Sequence, residues 1–207
     1  MNHEAINKFV EFFEDPVINK TYLVLEHAGN KSLEDYVQKN VVERGKNLSE
    51  KTVRDLMLQL FVVISYLHSN YVCHRDLKPD NLIIAEADNE DESTPRIKVI
   101  DFNVAVEVSK TNPRIRGGTG LREWSAPETY RSAYSDFKID SWTLGCVMHL
   151  LCTGRPPFKR NQKFDEMSEL DFEYDLSAYK DSKTFPDMVD FISGLIMVDP
   201  ICRLSSE

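Results

Sequence analysis

The sequence predicts an α+β domain in which helices build most of the core and the strands are short. Three observations carry this expectation. Two apolar runs, Phe9 to Phe13 and Tyr22 to Glu26, are strand-like and close enough in sequence to pair. Val53, Leu56, Met57, Leu60, Ile64 and Leu67 recur at helical spacing and form one buried stripe. The stretch from Lys138 to Thr153 is apolar almost all round, the pattern of a helix at the centre of a domain.

In chain order, Glu14-Asp15-Pro16 and Asn19-Lys20 interrupt the first two runs, which spells a hairpin with a long loop. Ser32, followed three residues later by Asp35, reads as a capping box opening a short helix through Val41. The longer helix begins near Ser49. Short strands follow at Leu82 to Ala85 and Ile97 to Ile100. Between them Glu86 to Pro95 is a strongly acidic run, expected as a solvated loop extension. A last helix should cover Phe185 to Met197, with Met188, Phe191, Ile192, Leu195 and Ile196 facing inward. No internal repeat or interdomain linker is apparent, and 207 residues suffice for one substantial core.

Composition excludes several classes of function. A formal charge of -9 argues against nucleic acid and anionic membranes as partners, because phosphate surfaces need clustered Lys and Arg. The most apolar helices, Leu56 to Leu67 and Trp142 to Cys152, are too short to span a bilayer. The polar start Met1-Asn2-His3-Glu4, with no apolar stretch after it, gives no targeting peptide. Cys73, Cys146, Cys152 and Cys202 form no Cys-x-x-Cys pair and read as reduced, mostly buried thiols of an intracellular, cytoplasmic protein. The histidines lack metal-ligand spacing, so zinc is not expected. His68 and His149 fall on apolar helix faces and read as core histidines.

The chemistry concentrates in His74-Arg75-Asp76-Leu77-Lys78-Pro79-Asp80-Asn81. One short loop carries a carboxylate, an ammonium and a carboxamide at offsets suited to phosphoryl transfer. Asp76 could take a proton from an attacking hydroxyl, Lys78 could neutralise charge on the phosphoryl group, and Asn81 offers a hard oxygen ligand to Mg²⁺. Asp101-Phe102-Asn103 supplies a second metal-binding carboxylate, and Ala126-Pro127-Glu128 follows.

These three motifs in this order resemble the eukaryotic protein kinase family, and the element order is similar almost from end to end. The resemblance implies a protein kinase-like fold, mainly the helical large lobe plus a β-hairpin of the small lobe. Residues 1–28 would be small-lobe remnant and hinge, and 29–207 the large lobe. It implies ATP and Mg²⁺ as cofactors and a protein substrate with a Ser or Thr acceptor. Asp76 and Lys78 would be catalytic, and Asn81 and Asp101 the metal ligands. Leu25 would be the gatekeeper, with Glu26 and Ala28 in the hinge that bonds the adenine edge. Arg75 would pair with a phosphorylated activation-segment residue chosen from Ser109, Thr111, Thr119 and Ser125. Thr119 is best placed, although its spacing to Ala126 exceeds the usual pattern. His74, Phe102, Glu128, Asp140 and Arg203 would be structural, with Glu128 paired to Arg203.

Lys78-Pro79 is similar to serine/threonine kinases, whereas Trp124 before Ala126 is similar to tyrosine kinases. Lys78 contacts the reacting group, so it weighs more. Asn103 stands where the family has Gly, a position that favours positive φ. No Gly-x-Gly-x-x-Gly and no phosphate-binding strand Lys occur in the sequence. The sequence therefore reads as a kinase domain cut at the front and just after Glu207. The alternative is a catalytically inactive kinase homologue acting as a protein-interaction module.

Overall fold

The computed structural model describes residues 1–85, 95–111, 114–117, 123–132, 134–158 and 186–206. The acidic residues 86–94 and Thr119 lie outside them.

Strands β1 (Phe9–Asp15) and β2 (Lys20–Leu25) form an antiparallel hairpin. The pairing runs further than the sequence suggests, and the connection shrinks to Pro16–Asn19. Two local features permit this. Asp15 Oδ1 accepts the Val17 and Ile18 amides at 2.9 and 3.3 Å, and Asn19 adopts φ 49°, which Asn tolerates better than most residues. Phe13 stacks on Tyr22, its cross-strand partner, with centroids 4.9 Å apart. The hairpin's apolar side chains remain largely in solvent: Phe9 is 57% exposed, Phe12 62% and Leu23 63%.

The capping box forms. Ser32 Oγ accepts the Asp35 amide at 3.1 Å, and Asp35 Oδ2 accepts the Ser32 amide at 2.9 Å. It opens α1 (Leu33–Val37), which widens into a π turn over Gln38–Val42, where Glu43 N–H reaches back to the Gln38 carbonyl. Helix α2 (Glu50–Ser69) starts from Ser49, whose hydroxyl accepts the Thr52 amide at 3.1 Å. Its whole expected stripe is buried.

Five short strands frame the loop that follows α2. A three-stranded sheet runs in the order β3 (Lys31–Ser32), β5 (Leu82–Ala85), β6 (Arg96–Val99). Ile6 adds a parallel bridge to Val99. A second pair joins β4 (Val72–Cys73) to β7 (Val106–Glu107). Strands β3, β4 and β7 are two residues each and carry no period the sequence could announce.

After α3 (Glu128–Arg131), helix α4 (Lys138–Thr153) occupies the centre, with every residue from Ile139 to Cys152 buried. Gly154 ends it at φ 72°, its N–H bonded to the Leu150 carbonyl at 2.7 Å. Gly145 permits close packing on helix α5 (Pro186–Leu195): a β-carbon there would meet Leu195 Cβ at 2.8 Å. Trp142 stacks on Phe158 at 5.4 Å. Ile192, Leu195 and Ile196 face the core, but Phe191, expected inward, is 39% exposed. It instead lies against Phe61 of α2, centroids 5.5 Å apart. Residue 191 falls at the edge of the buried stripe, where α2 covers only part of its ring. Among the described residues no helix is long and apolar enough to cross a membrane.

Candidate active site

The loop between β4 and β5 is held from below by α4. Asp140 sits in the first turn of that helix, fully buried. Its Oδ2 accepts the His74 backbone N–H at 2.9 Å and its Oδ1 the Arg75 N–H at 3.0 Å. Two consecutive amides bound to one carboxylate fix the loop's path, and Arg75 is forced to φ 72°. Oδ2 also takes His68 Nε2 at 2.9 Å and Cys73 Sγ at 3.3 Å, while His68 Nδ1 meets Ser206 Oγ at 2.7 Å. Burial alone would raise the Asp140 carboxyl; the hydrogen bond from His68 and the Arg75 N–H outweigh it and hold it below the usual range. His68, Cys73 and Asp140 bring three ligand atoms close together, but their hydrogen bonds to one another already account for the grouping. This network joins α2, the loop, α4 and Ser206, and sequence reading did not connect its members. Cys73, Cys146 and Cys152 are buried, Cys202 is exposed, and all are free thiols.

His74 is buried. Nε2 faces the Ile100 carbonyl at 3.0 Å, and Nδ1 accepts the Asp76 amide at 3.3 Å. A carbonyl only accepts and an amide N–H only donates, so the ring carries its proton on Nε2 and is neutral. Burial pushes the His74 pKa down, against the pull of Asp140, the Ile100 carbonyl, Asp76 and Asp101. A histidine neutral in the fold but protonated when unfolded makes stability fall with acid. Its contribution is complete above the ordinary value of 6.5 and is lost as pH drops below that, down to the lowered folded value. The melting temperature should therefore fall below pH ~6.5, at up to about 1.4 kcal/mol per pH unit for one proton. His74→Gln should flatten that slope; an unchanged slope would place the sensitivity elsewhere.

On the open side of the loop, Asp76, Lys78 and Asn81 meet. Lys78 Nζ lies 2.7 Å from Asp76 Oδ2, and Asn81 Nδ2 donates to the same oxygen at 3.1 Å and to the Asp76 carbonyl at 2.8 Å. The 3₁₀ turn Pro79–Asn81 brings Asn81 back over Asp76. With its amide donors on Asp76, Asn81 turns Oδ1 elsewhere, available to a hard cation. The Asn81 carbonyl accepts the Ile100 N–H at 3.0 Å, tying this loop to the start of Asp101-Phe102-Asn103.

In that second motif the left-handed residue is Asp101, at φ 65°, and not Asn103. Asp tolerates this conformation, and Asn103 lies in a turn where the Ala105 N–H bonds the Phe102 carbonyl at 3.1 Å. The Phe102 ring packs 4.7 Å from that of His74. Asp101, Phe102 and Leu25 line one cavity of about 700 Å³ together with Ile6 and Phe9. Glu26 and Ala28 do not line it. Lys98 bonds the Glu26 carboxylate at 2.6 Å and holds its pKa below the usual range. Lys8 N–H also donates to that carboxylate, at 3.0 Å.

Further along, Arg203 is buried and grips Glu128 through both terminal nitrogens, Nη2 to Oε2 at 2.9 Å. It also donates to the Met197 and Lys138 carbonyls and lies over Trp142. Trp124 is buried, and its carbonyl accepts Thr143 Oγ1 at 3.0 Å. Arg75 Nη2 donates to the Arg116 and Gly117 carbonyls at 3.2 and 2.8 Å.

The family model of the protein kinase domain matches residues 1–207. The chain belongs to the protein kinase family. Its curated relatives include a probable myosin light chain kinase of Dictyostelium discoideum, 29% identical over 97% of this chain and 48% of the relative. The serine/threonine-protein kinase polo of Drosophila melanogaster is 31% identical over 91% of this chain and 30% of the relative. Calcium-dependent protein kinase 4 of Plasmodium berghei is 28% identical over all of this chain and 37% of the relative. The chain thus spans less than half the length of these kinases. Its mixed helices and small sheets are those of an α+β protein kinase-like fold.

Proposed function

We propose that this chain is the catalytic region of a serine/threonine protein kinase, moving the γ-phosphoryl of ATP to a hydroxyl of a protein substrate. The convergence of Asp76, Lys78 and Asn81 on a loop anchored by buried Asp140 carries the reading. Asp76 accepts the proton of the attacking hydroxyl, and Asn81 holds its carboxylate in place. Lys78, within 2.7 Å of that carboxylate, neutralises charge on the phosphoryl group during transfer. Asn81 and Asp101 fit a hard divalent cation, since both offer oxygen and the Ile100 N–H to Asn81 carbonyl bond ties Asn81 to the residue preceding Asp101. Mg²⁺ bound there would neutralise phosphate charge. Leu25, Glu26 and Ala28 receive the adenine, Arg75 and Thr119 regulate, and His74, Phe102, Glu128, Asp140 and Arg203 hold the frame. Residues 1–28 are small-lobe hairpin and hinge, and 29–207 the large lobe.

Asp101→Asn should weaken nucleotide binding in magnesium while leaving magnesium-free binding little changed, because the cation loses a full carboxylate charge. Calorimetric titration of the intact protein with ATP, with and without Mg²⁺, checks this; equal loss in both conditions removes Asp101 from the metal site. One observation favours the second reading, an interaction module. The hairpin presents Phe9, Val10, Phe12, Phe13 and Leu23 to solvent, a patch of the kind that marks protein contacts. Magnesium-linked ATP binding separates the two readings.

A further inference from the structure

Tyr134 is 40% exposed, and two guanidinium groups converge on it. The guanidinium carbons of Arg114 and Arg116 lie 5.3 and 5.2 Å from its ring centroid. Arg116 Nη2 also donates to the phenol oxygen at 3.0 Å. Backbone pairing sets this arrangement. Ile115, between the two arginines, exchanges both main-chain bonds with Ser135, each 2.9 Å. In an antiparallel bridge the residues one step to either side share a face, which places both arginines beside Tyr134. A cavity of about 480 Å³, lined by Arg114, Tyr134 and Ser135, opens there. Of its carboxylates, Glu128 is held by Arg203, and Asp136, whose Oδ1 accepts the Lys138 N–H at 2.8 Å, keeps its charge but makes no ion pair with either arginine among the described residues. One cation over an exposed ring is held only weakly, and two cations over one neutral ring repel each other. An anion between them would satisfy both.

We propose that Tyr134 is a tyrosine-phosphorylation site whose phosphate receptor, Arg114 and Arg116, is already in place. A tyrosine kinase acting on this protein supplies the group. The bond from the γ-phosphorus of its nucleoside triphosphate to the β–γ bridging oxygen breaks as the Tyr134 Oη–phosphorus bond forms. The phenolic proton passes to that enzyme's base, and nucleoside diphosphate leaves. The product carries a charge of about -1.5 to -2 at pH 7 and three strong acceptors, suited to two guanidinium groups. The effect reaches the catalytic loop: the Arg116 and Gly117 carbonyls hold Arg75, so fixing Arg116 fixes the residue beside Asp76.

Tyr22 serves as the control, because it is 39% exposed but stacks on Phe13. Phosphotyrosine is installed at position 134, or at position 22, of the intact protein by genetic-code expansion, and each phosphate is titrated by ³¹P NMR. A free phosphotyrosine loses its second proton near pH ~6. The phosphate at 134 should titrate at least about half a unit lower than that at 22. The difference should vanish in the Arg114→Ala/Arg116→Ala variant. Hydrogen exchange of amides 115–117 should slow only when 134 carries the phosphate. In parallel, the unmodified protein is treated with a broad-specificity tyrosine kinase and ATP, and the acceptors are mapped by mass spectrometry. Phosphate on Tyr134 is the expected result. Equal titration at 134 and 22, or labelling of Tyr22 with Tyr134 left bare, overturns the proposal.

Discussion

In this chain joined to the Gly-rich loop and strand Lys that its sequence does not contain, Asp76→Asn should abolish phosphoryl transfer while leaving ATP affinity unchanged. In the proposed mechanism the carboxylate acts on the hydroxyl that attacks, not on the nucleotide, so its removal should affect the chemical step alone. Positioned general bases typically contribute about 10²–10⁴-fold. The amide is nearly isosteric and keeps an oxygen for Lys78 and Asn81, which approach Asp76 Oδ2 at 2.7 and 3.1 Å. The fold should therefore be unaffected, and a loss of rate cannot be put down to unfolding. Single-turnover rates and nucleotide titration on the same preparation check both halves. Undiminished transfer would remove Asp76 from the role of base.

Asp140→Ala should cost far more in stability than any surface substitution. Removing this carboxylate strands the His74 and Arg75 amides, His68 Nε2 and the Cys73 thiol together. Breaking a buried charged pair typically costs about 3–5 kcal/mol, a large share of the roughly 5–15 kcal/mol that holds a domain. The strained φ of 72° at Arg75 also loses what enforces it. Urea unfolding monitored by circular dichroism should show the midpoint falling steeply. Because the loop that carries Asp76 is released, transfer should fall under native conditions as well. A variant within about 1 kcal/mol of wild type would mean that the loop is held by something other than Asp140.

The elements with a strong period were the legible ones. The 53–67 stripe and the all-round apolar run at 138–153 give α2 and α4, and Ser32 with Asp35 gives the start of α1, because each signal is local. The two-residue strands were not legible, since they exist only through partners distant in the chain. Phe191 was misplaced because a helical stripe does not say how completely a neighbouring helix covers the residues at its edge. Asp76, Lys78 and Asn81 lie within six residues, so their convergence could be read from spacing. The network from Ser206 through His68 to Asp140 spans 138 residues between Ser206 and His68 alone, and no local pattern announces it. The left-handed residue of Asp101-Phe102-Asn103 was expected where the family has Gly, yet the backbone places it two residues earlier.

The reaction itself provides the most direct test. The chain, joined to the Gly-rich loop and strand Lys that its sequence does not contain, is incubated with Mg²⁺, ATP labelled at the γ-phosphate and a library of peptides bearing Ser, Thr and Tyr, and the labelled amino acids are separated after acid hydrolysis. Lys78-Pro79 in the catalytic loop predicts phosphoserine and phosphothreonine, with the label lost in Asp76→Asn. Predominant phosphotyrosine, or no label above background, would contradict a serine/threonine protein kinase.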